Sequence, residues 1–282
     1  MCMHQKQESP ITECELDCIK FYMGDPELVD SGLFRGGPKA YNTINALLHK
    51  DFADEMEKIA EGKVIELLDA AHLKQYLSLI HSIYRAMLKY QEEYADSPLV
   101  TYRVDRAPAV LRIMEEKEIE GFYSTCKYGY LEEYAHTKTN IVLLEIHRKK
   151  EVPYLDFEEL LQDFYAKPQE AEILLPFHAF VERIEQMELS KEELRIYTDM
   201  HGNPPAGKYR LWIDAPDFKG DVETALTKDR LFEQVTDEKT VERVQKCMKI
   251  LMNREQLKES DTVFYKEWKE RLQQYLFAVC SQ

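Results

Sequence analysis

The stretch PQEAEILLPF, residues 168–177, places two glutamates, Glu170 and Glu172, directly before an apolar run. Residues two apart on a β-strand project to the same face, so a strand holding both would keep two carboxylates roughly 7 Å apart. Like charges this close raise each other's pKa and cost free energy. Such a pair is either the solvent-facing side of a strand or a component of a site that uses both carboxylates.

The stretch belongs to a strand-rich middle of the chain. Alternating or continuously apolar runs there predict strands, and two segments with helical periodicity lie among them. The strands follow one another too closely for a regular alternation with helices, so the predicted fold class is α+β. The predicted strands are 99–104, 121–125, 140–146, 171–189 with a break at Pro176, 194–199 and 208–215, and the helices are 107–117 and 157–164.

Helical patterns flank this middle region on both sides. Apolar residues recur with a 3.6-residue period across 41–93, residues 11–22 are weakly helical, and 24–38 is loop-rich. Three further helices are predicted at 222–234, 237–253 and 261–279. We therefore expect one domain over residues 1–215, helical over its first 98 residues and strand-rich over residues 99–215, and a helical C-terminal extension over residues 216–282. The extension packs against the main domain or serves as a partner-binding or regulatory tail.

Composition excludes several function classes. The 282 residues carry a net charge of −15, which disfavours binding to nucleic acid or to an anionic membrane surface. There is no run of 18 apolar residues and no apolar segment of a signal peptide near the N-terminus. The six cysteines are scattered and the histidines dispersed, so no metal site is expected. We expect reduced thiols and a cytoplasmic location, or export without a cleaved signal peptide.

Three polar signals punctuate the predicted strands. Arg103 lies inside one strand, Ser124 and Thr125 close another, and the glutamate pair opens a third. Taken singly, each signal has an ordinary structural explanation: a solvated edge residue, a turn, and the exposed side of a strand. Their order along the chain is what suggests a common site.

In this order the signals resemble the mono-ADP-ribosyltransferase family, in the branch with Arg, Ser-Thr-Ser and Glu-x-Glu motifs that bacterial binary toxins and related exoenzymes typify. The resemblance covers about residues 38–190 and involves five stretches in the family's order. They are YNTINALL (41–48), TYR (101–103), GFYSTC (121–126), NIVLLEI (140–146) and EAEILLP (170–176).

The resemblance implies a core of two packed, mostly antiparallel sheets with flanking helices. It also implies an enzyme that uses NAD as its substrate and transfers ADP-ribose to an acceptor protein, with release of nicotinamide and with NAD glycohydrolysis as a side reaction. A Glu at position 170 goes with arginine acceptors in this family. The acceptor protein itself is not identified by the sequence.

The roles implied for the central residues agree with their chemistry. Cleaving the nicotinamide–ribose bond develops positive charge on the sugar, which a fixed carboxylate stabilises, and Glu172 matches the family's residue for that task. Arg103 matches the residue that holds the pyrophosphate, for which a planar guanidinium is suited. Ser124 is implied to orient Glu172, Thr125 to support the strand end, and Glu170 to activate the acceptor nucleophile.

Further binding residues follow from the same resemblance. Tyr102 and Asn45 belong to matching motifs that border NAD, and the main chain of Val104 is implied to hold the nicotinamide amide. Tyr128 or Tyr130 could stack on the nicotinamide ring. Two more residues, Phe164 and Tyr165, resemble the acceptor-recognition loop, although an aromatic anchor at a helix end explains them equally well.

Three positions depart from the family pattern. Val104 replaces a glycine, Cys126 replaces the third serine, and the loop 127–131 lacks the usual phenylalanine. These departures support an alternative, a catalytically idle protein that keeps the fold for binding or assembly. The intact Arg103, Ser124 and glutamate pair favour the enzyme.

Overall fold

The computed structural model describes residues 10–50, 65–93, 99–161, 171–217 and 224–281. Its helices are α1 (Glu13–Tyr22), α2 (Pro26–Ser31), α3 (Ala40–Leu48), α4 (Ala70–Glu93), α5 (Ala107–Glu116), α6 (Glu132–Ala135), α7 (Phe157–Leu160), α8 (Lys191–Ile196), α9 (Thr224–Thr236), α10 (Glu238–Met252) and α11 (Glu259–Cys280). Its strands are β1 (Val100–Arg106), β2 (Glu118–Ile119), β3 (Tyr123–Cys126), β4 (Ile141–Arg148), β5 (Leu155–Asp156), β6 (Glu172–Leu175), β7 (Ala179–Met187) and β8 (Gly207–Asp214).

Contacts group the chain into two units. One combines Met1–Lys89 with Phe218–Gln282, and we call it the helical unit because the elements of its described residues are helices; the other is the strand-rich segment Tyr90–Asp217. Of the predicted site residues within the described ranges, Asn45 belongs to the helical unit and the others to the strand-rich unit. The division into a domain over residues 1–215 and an extension over residues 216–282 stays a prediction.

The helical unit is built around amphipathic helices. In α4, Leu73, Leu77, Ile80, Tyr84 and Met87 are buried, and their spacing of three or four residues is the helical period predicted for this segment. These positions form one stripe, so α4 buries a continuous apolar face in the unit.

A buried lysine caps the C-terminus of α3 in the helical unit. Lys269 of α11 is only 1% exposed, and its Nζ donates to the carbonyl oxygens of Ala46 at 2.6 Å and His49 at 3.2 Å. Gln273 donates from Nε2 to the carbonyl oxygen of Leu47 at 3.0 Å. The last carbonyls of a helix have no partner within the helix. Two side chains from a segment more than 200 residues away therefore satisfy the C-terminus of α3.

The strand-rich unit contains one eight-stranded sheet in the order β2-β7-β8-β4-β1-β3-β6-β5. The β4–β8 pair is parallel and the other neighbours are antiparallel. The structure confirms the α+β class and the mostly antiparallel pairing. The described strands form one hydrogen-bonded sheet where two packed sheets were expected.

The reason for that difference is the position of β1. It pairs with β4 along its whole length, from Val100↔His147 to Arg106↔Ile141. With β3 it shares the single pair Tyr102↔Cys126 within the described residues. One pair thus joins the block β2-β7-β8-β4-β1 to the block β3-β6-β5. Beyond that pair β1 and β3 separate, and we call this gap the strand fork.

Most predicted elements are confirmed, one predicted strand is wrong, and one loop-rich segment contains a short helix. The strand predicted over 194–199 is replaced by α8 at Lys191–Ile196, because Ser190 and Glu193 form a reciprocal capping box at the N-terminus of that helix. The loop predicted over 24–38 contains α2, which begins after the N-cap Asp25 and ends at the left-handed Gly32. The last residues of the predicted helix 157–164 lie outside the described ranges.

The cysteines of the described residues are mostly buried. Cys14, Cys18, Cys126, Cys247 and Cys280 are free, and all but Cys14 are buried. Among the residues that the structure describes, no helix combines the length and the apolar character that crossing a bilayer requires.

Candidate functional site

The register of β3 and β6 sets the geometry of the candidate site. Cys126 pairs with Glu172, and Ser124 pairs with Leu174 two residues further along. Paired residues of antiparallel strands share a face, so Ser124 and Glu172 are diagonal neighbours on one face at roughly 7–8 Å between Cα atoms. That spacing is within reach of a glutamate side chain. The strand pairing therefore brings these two predicted site residues together.

The residue between the two glutamates has an unusual backbone. Ala171 has φ +38°, in the left-handed region that side chains other than glycine seldom adopt, and it is buried. Its carbonyl oxygen accepts from the N–H of Lys127 at 3.0 Å. The strand begins only at Glu172, so the alternation that would place both glutamates on one face does not extend back through Ala171. Glu170 itself lies outside the described residues.

Arg103 lies at the strand fork and bridges β1 to β3. Its Nε donates to Oδ2 of Asp105 at 2.7 Å, and its Nη1 donates to the main-chain carbonyl oxygen of Ser124. The guanidinium carbon stands 4.1 Å from the centre of the Tyr123 ring, and the Tyr123 hydroxyl donates to the same Asp105 oxygen at 2.6 Å. We call Arg103, Asp105 and Tyr123 the Arg103 cluster.

The pleat determines which face this cluster occupies. Tyr102 pairs with Cys126, so Tyr102 shares the face of Ser124 and Glu172. The next residue, Arg103, starts from the opposite face and reaches the edge of β3 at the fork. The structure thus brings Arg103 to the main chain of Ser124, while the side chains of Ser124 and Glu172 project from the other face.

The charges of the Arg103 cluster stabilise one another. Burial alone would raise the pKa of Asp105, but the charges of Arg103 and Lys138 and the Tyr123 hydroxyl hold it well below its usual range. Burial acts to lower the pKa of Arg103, and Asp105 raises it above its ordinary value. Burial and the Asp105 charge raise the pKa of Tyr123 well above 10.0. The cluster therefore contains a carboxylate, a guanidinium and a neutral phenol at neutral pH.

The main chain of Val104 faces the fork. Arg148 donates its N–H to the carbonyl oxygen of Leu99, and Ala107 donates to that of Asn140, so odd-numbered residues of this stretch bond toward β4. Alternation directs the N–H and C=O of Val104 to the other side, where β3 lies. Lys138 Nζ donates to that carbonyl oxygen. The side chain of Val104 is buried in a core cluster with Ile141 and Leu143.

The predicted tyrosines have different surroundings. The Tyr102 and Tyr130 rings meet edge to face with centroids 5.3 Å apart, and Tyr130 packs against the core cluster around Val104. The Tyr130 hydroxyl is buried and has no hydrogen-bond partner among the described residues. Tyr128 is 73% exposed, and its hydroxyl donates to Glu158 at 3.2 Å. Of the two candidates for stacking on nicotinamide, Tyr128 is the accessible one.

Thr125 and Lys127, which follow Ser124, connect the end of β3 to β6 and β5. Thr125 is 1% exposed, and its Oγ1 donates to the carbonyl oxygen of Ile173 on β6 at 3.0 Å. Lys127 pairs through Nζ with Asp156 at 2.7 Å, and Asp156 is fully buried. These contacts fix the strand end that carries Ser124 relative to Glu172.

The remaining predicted residues lie in the helical unit or outside the described residues. Asn45 lies on α3 of the helical unit, where its Nδ2 donates to the Tyr22 hydroxyl at 3.1 Å. Phe164 and Tyr165 lie outside the described residues. Within residues 10–50, 65–93, 99–161, 171–217 and 224–281, no group of three or more His, Cys, Asp or Glu side chains could hold a metal ion.

Sequence reasoning missed Asp105, Tyr123 and Lys138. A signal for Asp105 was present, because an acid two residues after a strand arginine lies on the same face and can pair with it. The Tyr123 and Lys138 contacts join residues from different strands and loops, so only the fold reveals them.

No protein-family model matches the chain, and no curated protein matches it. Solved structures with a weak similarity to it include two described as ADP-ribosylating proteins and one catalytic domain.

One is the ADP-ribosylating toxin BECa of a binary enterotoxin of C. perfringens, a structure with NADH (15% identity, TM-score 0.40), for which the match covers 72% of this chain and 43% of that chain. Others are the Vis toxin, an ADP-ribosyltransferase from Vibrio splendidus (15% identity, TM-score 0.38, 76% of this chain and 78% of that one), and the catalytic domain of VsdC from Aeromonas hydrophila (13% identity, TM-score 0.34, 71% and 99%). This chain thus spans less than half of the BECa chain. These likenesses are weak, and the function proposed below rests on the residues of this chain.

Proposed function

We propose that this chain is an NAD-dependent mono-ADP-ribosyltransferase that modifies a protein side chain, with arginine as the acceptor that Glu170 favours. The observation that carries the proposal is the β3–β6 register, which sets Glu172 and Ser124 as diagonal neighbours on one face. Arg103 starts from the opposite face of the sheet and is fixed at the fork against the main chain of Ser124.

The proposed reaction breaks the bond between nicotinamide and the ribose carbon, and the bonding electron pair leaves with nicotinamide. Positive charge then develops on the ribose, and the Glu172 carboxylate stabilises it. A nitrogen of the acceptor arginine forms the new bond to the same carbon, and its proton passes to Glu170 acting as a base. Ser124 orients Glu172, and Arg103 holds the pyrophosphate.

The Arg103 cluster bears on how well the chain binds NAD. Arg103 is already paired with Asp105, so its charge is partly neutralised before any pyrophosphate arrives. The guanidinium has five N–H donors and uses two of them in contacts with described residues, so donors remain for an anion. These donors support the assignment of Arg103 to the pyrophosphate.

A second candidate is a protein that keeps this fold for binding or assembly and does not turn over NAD. Specific observations favour it: Lys138 uses the Val104 carbonyl that faces the fork, Cys126 replaces the third serine opposite Glu172, and Asp105 neutralises Arg103. In that case Glu170 activates no acceptor, and the negatively charged chain uses its fold to contact another protein.

A calorimetric titration with NAD separates the two candidates, followed by incubation of a cell lysate with the protein and NAD labelled in its adenylate moiety. The enzyme predicts heat of binding at submillimolar NAD and labelled proteins that are absent with Glu172→Gln. Glu188→Gln, at an exposed position of the same unit, is the matched control and should label like the parent chain. Absence of binding at millimolar NAD, with no labelled protein, would leave the second candidate.

A further inference from the structure

The Arg103 cluster contains a carboxylate that no motif assigns to the reaction. Asp105 is 6% exposed, and one of its oxygens, Oδ2, accepts from both Arg103 Nε and the Tyr123 hydroxyl. Its other oxygen, Oδ1, accepts from the main-chain N–H of Arg106 at 2.9 Å. Asp105 is therefore fixed by the main chain of β1 and in turn fixes two side chains.

The contacts of Arg103 determine which edge of its guanidinium is available. Nε is engaged by Asp105, Nη1 is engaged by the Ser124 carbonyl, and the Tyr123 ring covers one flat side. Among the described residues, Nη2 has no hydrogen-bond partner. A guanidinium held on two edges and one face can present the Nη1–Nη2 end, and an end-on pair of N–H groups fits two oxygens of a phosphate.

We infer that Asp105, with Tyr123, is a positioning residue that fixes Arg103 so that its Nη1–Nη2 end receives an anionic diphosphate at the strand fork. The inference rests on the proposed function, and it adds to it the device that orients the arginine. Asp105 touches no substrate in this scheme and acts only through Arg103.

The geometry has two opposing effects on anion binding. Pre-organising a long side chain removes the entropy cost of ordering it when the ligand binds. Pairing it with a carboxylate weakens its field at the ligand. The positioning role holds only where the first effect exceeds the second, so the sign of the change in NAD affinity on removing the Asp105 charge decides the question.

The test measures KM and kcat for nicotinamide release from NAD by the full chain and by Asp105→Asn. Loss of one hydrogen bond to a charged group predicts a KM higher by roughly 10- to 100-fold, with kcat changed by no more than about 3-fold. Asp214→Asn, which loses a carboxylate paired with Lys149 at 2.7 Å elsewhere in the unit, is the matched control and should leave KM unchanged.

A second variant tests the inference even if Asp105→Asn does not fold. Tyr123→Phe keeps the ring beneath the guanidinium and removes the hydroxyl that donates to Asp105, so KM should rise by only about 3-fold.

Hydrogen exchange reports directly on how firmly Arg103 is held. In protein labelled with ¹⁵N-arginine, the Arg103 Nε–H resonance is assigned by its loss in Arg103→Lys. This N–H should exchange slowly in the parent chain and rapidly in Asp105→Asn. A purely structural role of Asp105 would lower stability without a selective rise in KM.

The outcomes separate the inference from the proposed function. If the parent chain releases nicotinamide and Asp105→Asn has an equal or lower KM, Asp105 does not position Arg103 for NAD and the inference is overturned while the enzyme stands. If the parent chain neither binds nor cleaves NAD, the proposed function fails and the inference fails with it. A raised KM in Asp105→Asn, with normal KM in Asp214→Asn, supports both.

Discussion

Two buried threonines of the same sheet offer a matched test of the contacts that hold β3 to β6. Thr125 and Thr101 are each 1% exposed. The Thr125 hydroxyl donates to the Ile173 carbonyl oxygen at 3.0 Å, whereas the Thr101 hydroxyl is buried without a hydrogen-bond partner among the described residues. Thr→Val replaces a hydroxyl by a methyl group at nearly constant volume, so the two variants differ mainly in what happens to that one hydrogen bond.

The expected effects have opposite signs. Thr125→Val removes a hydrogen bond that contributes about 1 kcal/mol and leaves the Ile173 carbonyl without that donor, so the free energy of unfolding should fall by about 1–2 kcal/mol. Thr101→Val removes a buried unsatisfied hydroxyl, and stability should stay equal or rise by about 1 kcal/mol. The two variants should therefore differ by about 2 kcal/mol.

Urea unfolding followed by circular dichroism measures this difference. The midpoints of Thr101→Val and Thr125→Val are compared at a common slope. Thermal midpoints should separate in the same order. Equal midpoints for the two variants, or a more stable Thr125→Val, would show that the Thr125 hydroxyl does not tie β3 to β6 and does not fix the strand end that carries Ser124.

Three further outcomes are expected elsewhere in the chain. Lys269→Met should lower the free energy of unfolding in urea by about 2 kcal/mol, because the ammonium donates to the Ala46 carbonyl at the end of α3; a variant of unchanged stability would refute that capping role. Several hydrogen bonds to the Asp199 carboxylate lower its pKa to about 2, and the one from the Asn203 N–H has the largest effect. Its folded-state pKa is below the unfolded value of about 3.9, so its stabilisation is present above that value and lost as pH falls toward 2. Acid titration of Asp199→Asn should therefore show a smaller loss of stability between about pH 4 and pH 2 than the parent chain, and equal losses would contradict the assignment. Burial raises the pKa of Cys18 to about 12, so iodoacetamide at pH 8 should modify the exposed Cys14 and spare Cys18, as peptide mass spectrometry would show; rapid labelling of Cys18 would contradict its burial.

The predictability of the fold differed between elements for physical reasons. The strand β4 has a strong apolar pattern that reflects its burial in the centre of the sheet, and β1 and β8 beside it have weaker patterns and are partly buried. Apolar and polar residues alternate over 194–199 as in a strand, yet the segment begins as part of a helix that the capping box at Ser190 stabilises. The sequence contains the signal for this cap, a serine followed three residues later by glutamate, but the alternation alone predicts a strand.

Long-range pairing was beyond sequence reasoning. The parallel neighbours β4 and β8 are separated by more than 50 residues, and no local pattern indicates that they pair. The strand fork likewise depends on β1 having two neighbours that diverge after one pair, Tyr102↔Cys126. These are properties of the assembled sheet, because register is set by how the buried faces combine.

The candidate site was also predictable from the sequence only in part. The order of Arg103, Ser124 and Glu172 along the chain predicts all three as site residues, and the β3–β6 register brings the last two onto one face. The face from which Arg103 projects and its pairing with Asp105 were not predicted. An arginine in a strand gives no sign of the face it occupies until the neighbouring strand is known.

Release of nicotinamide from NAD by the purified chain, compared between the parent and Glu172→Gln, tests most directly whether this carboxylate performs chemistry. Glu172→Gln keeps the shape of the side chain and removes the charge that stabilises the ribose cation, so the rate should fall by roughly 100- to 1,000-fold at unchanged thermal stability. Equal rates in the two proteins, or no release by the parent chain at millimolar NAD, would contradict the assignment of Glu172 and with it the proposed transferase.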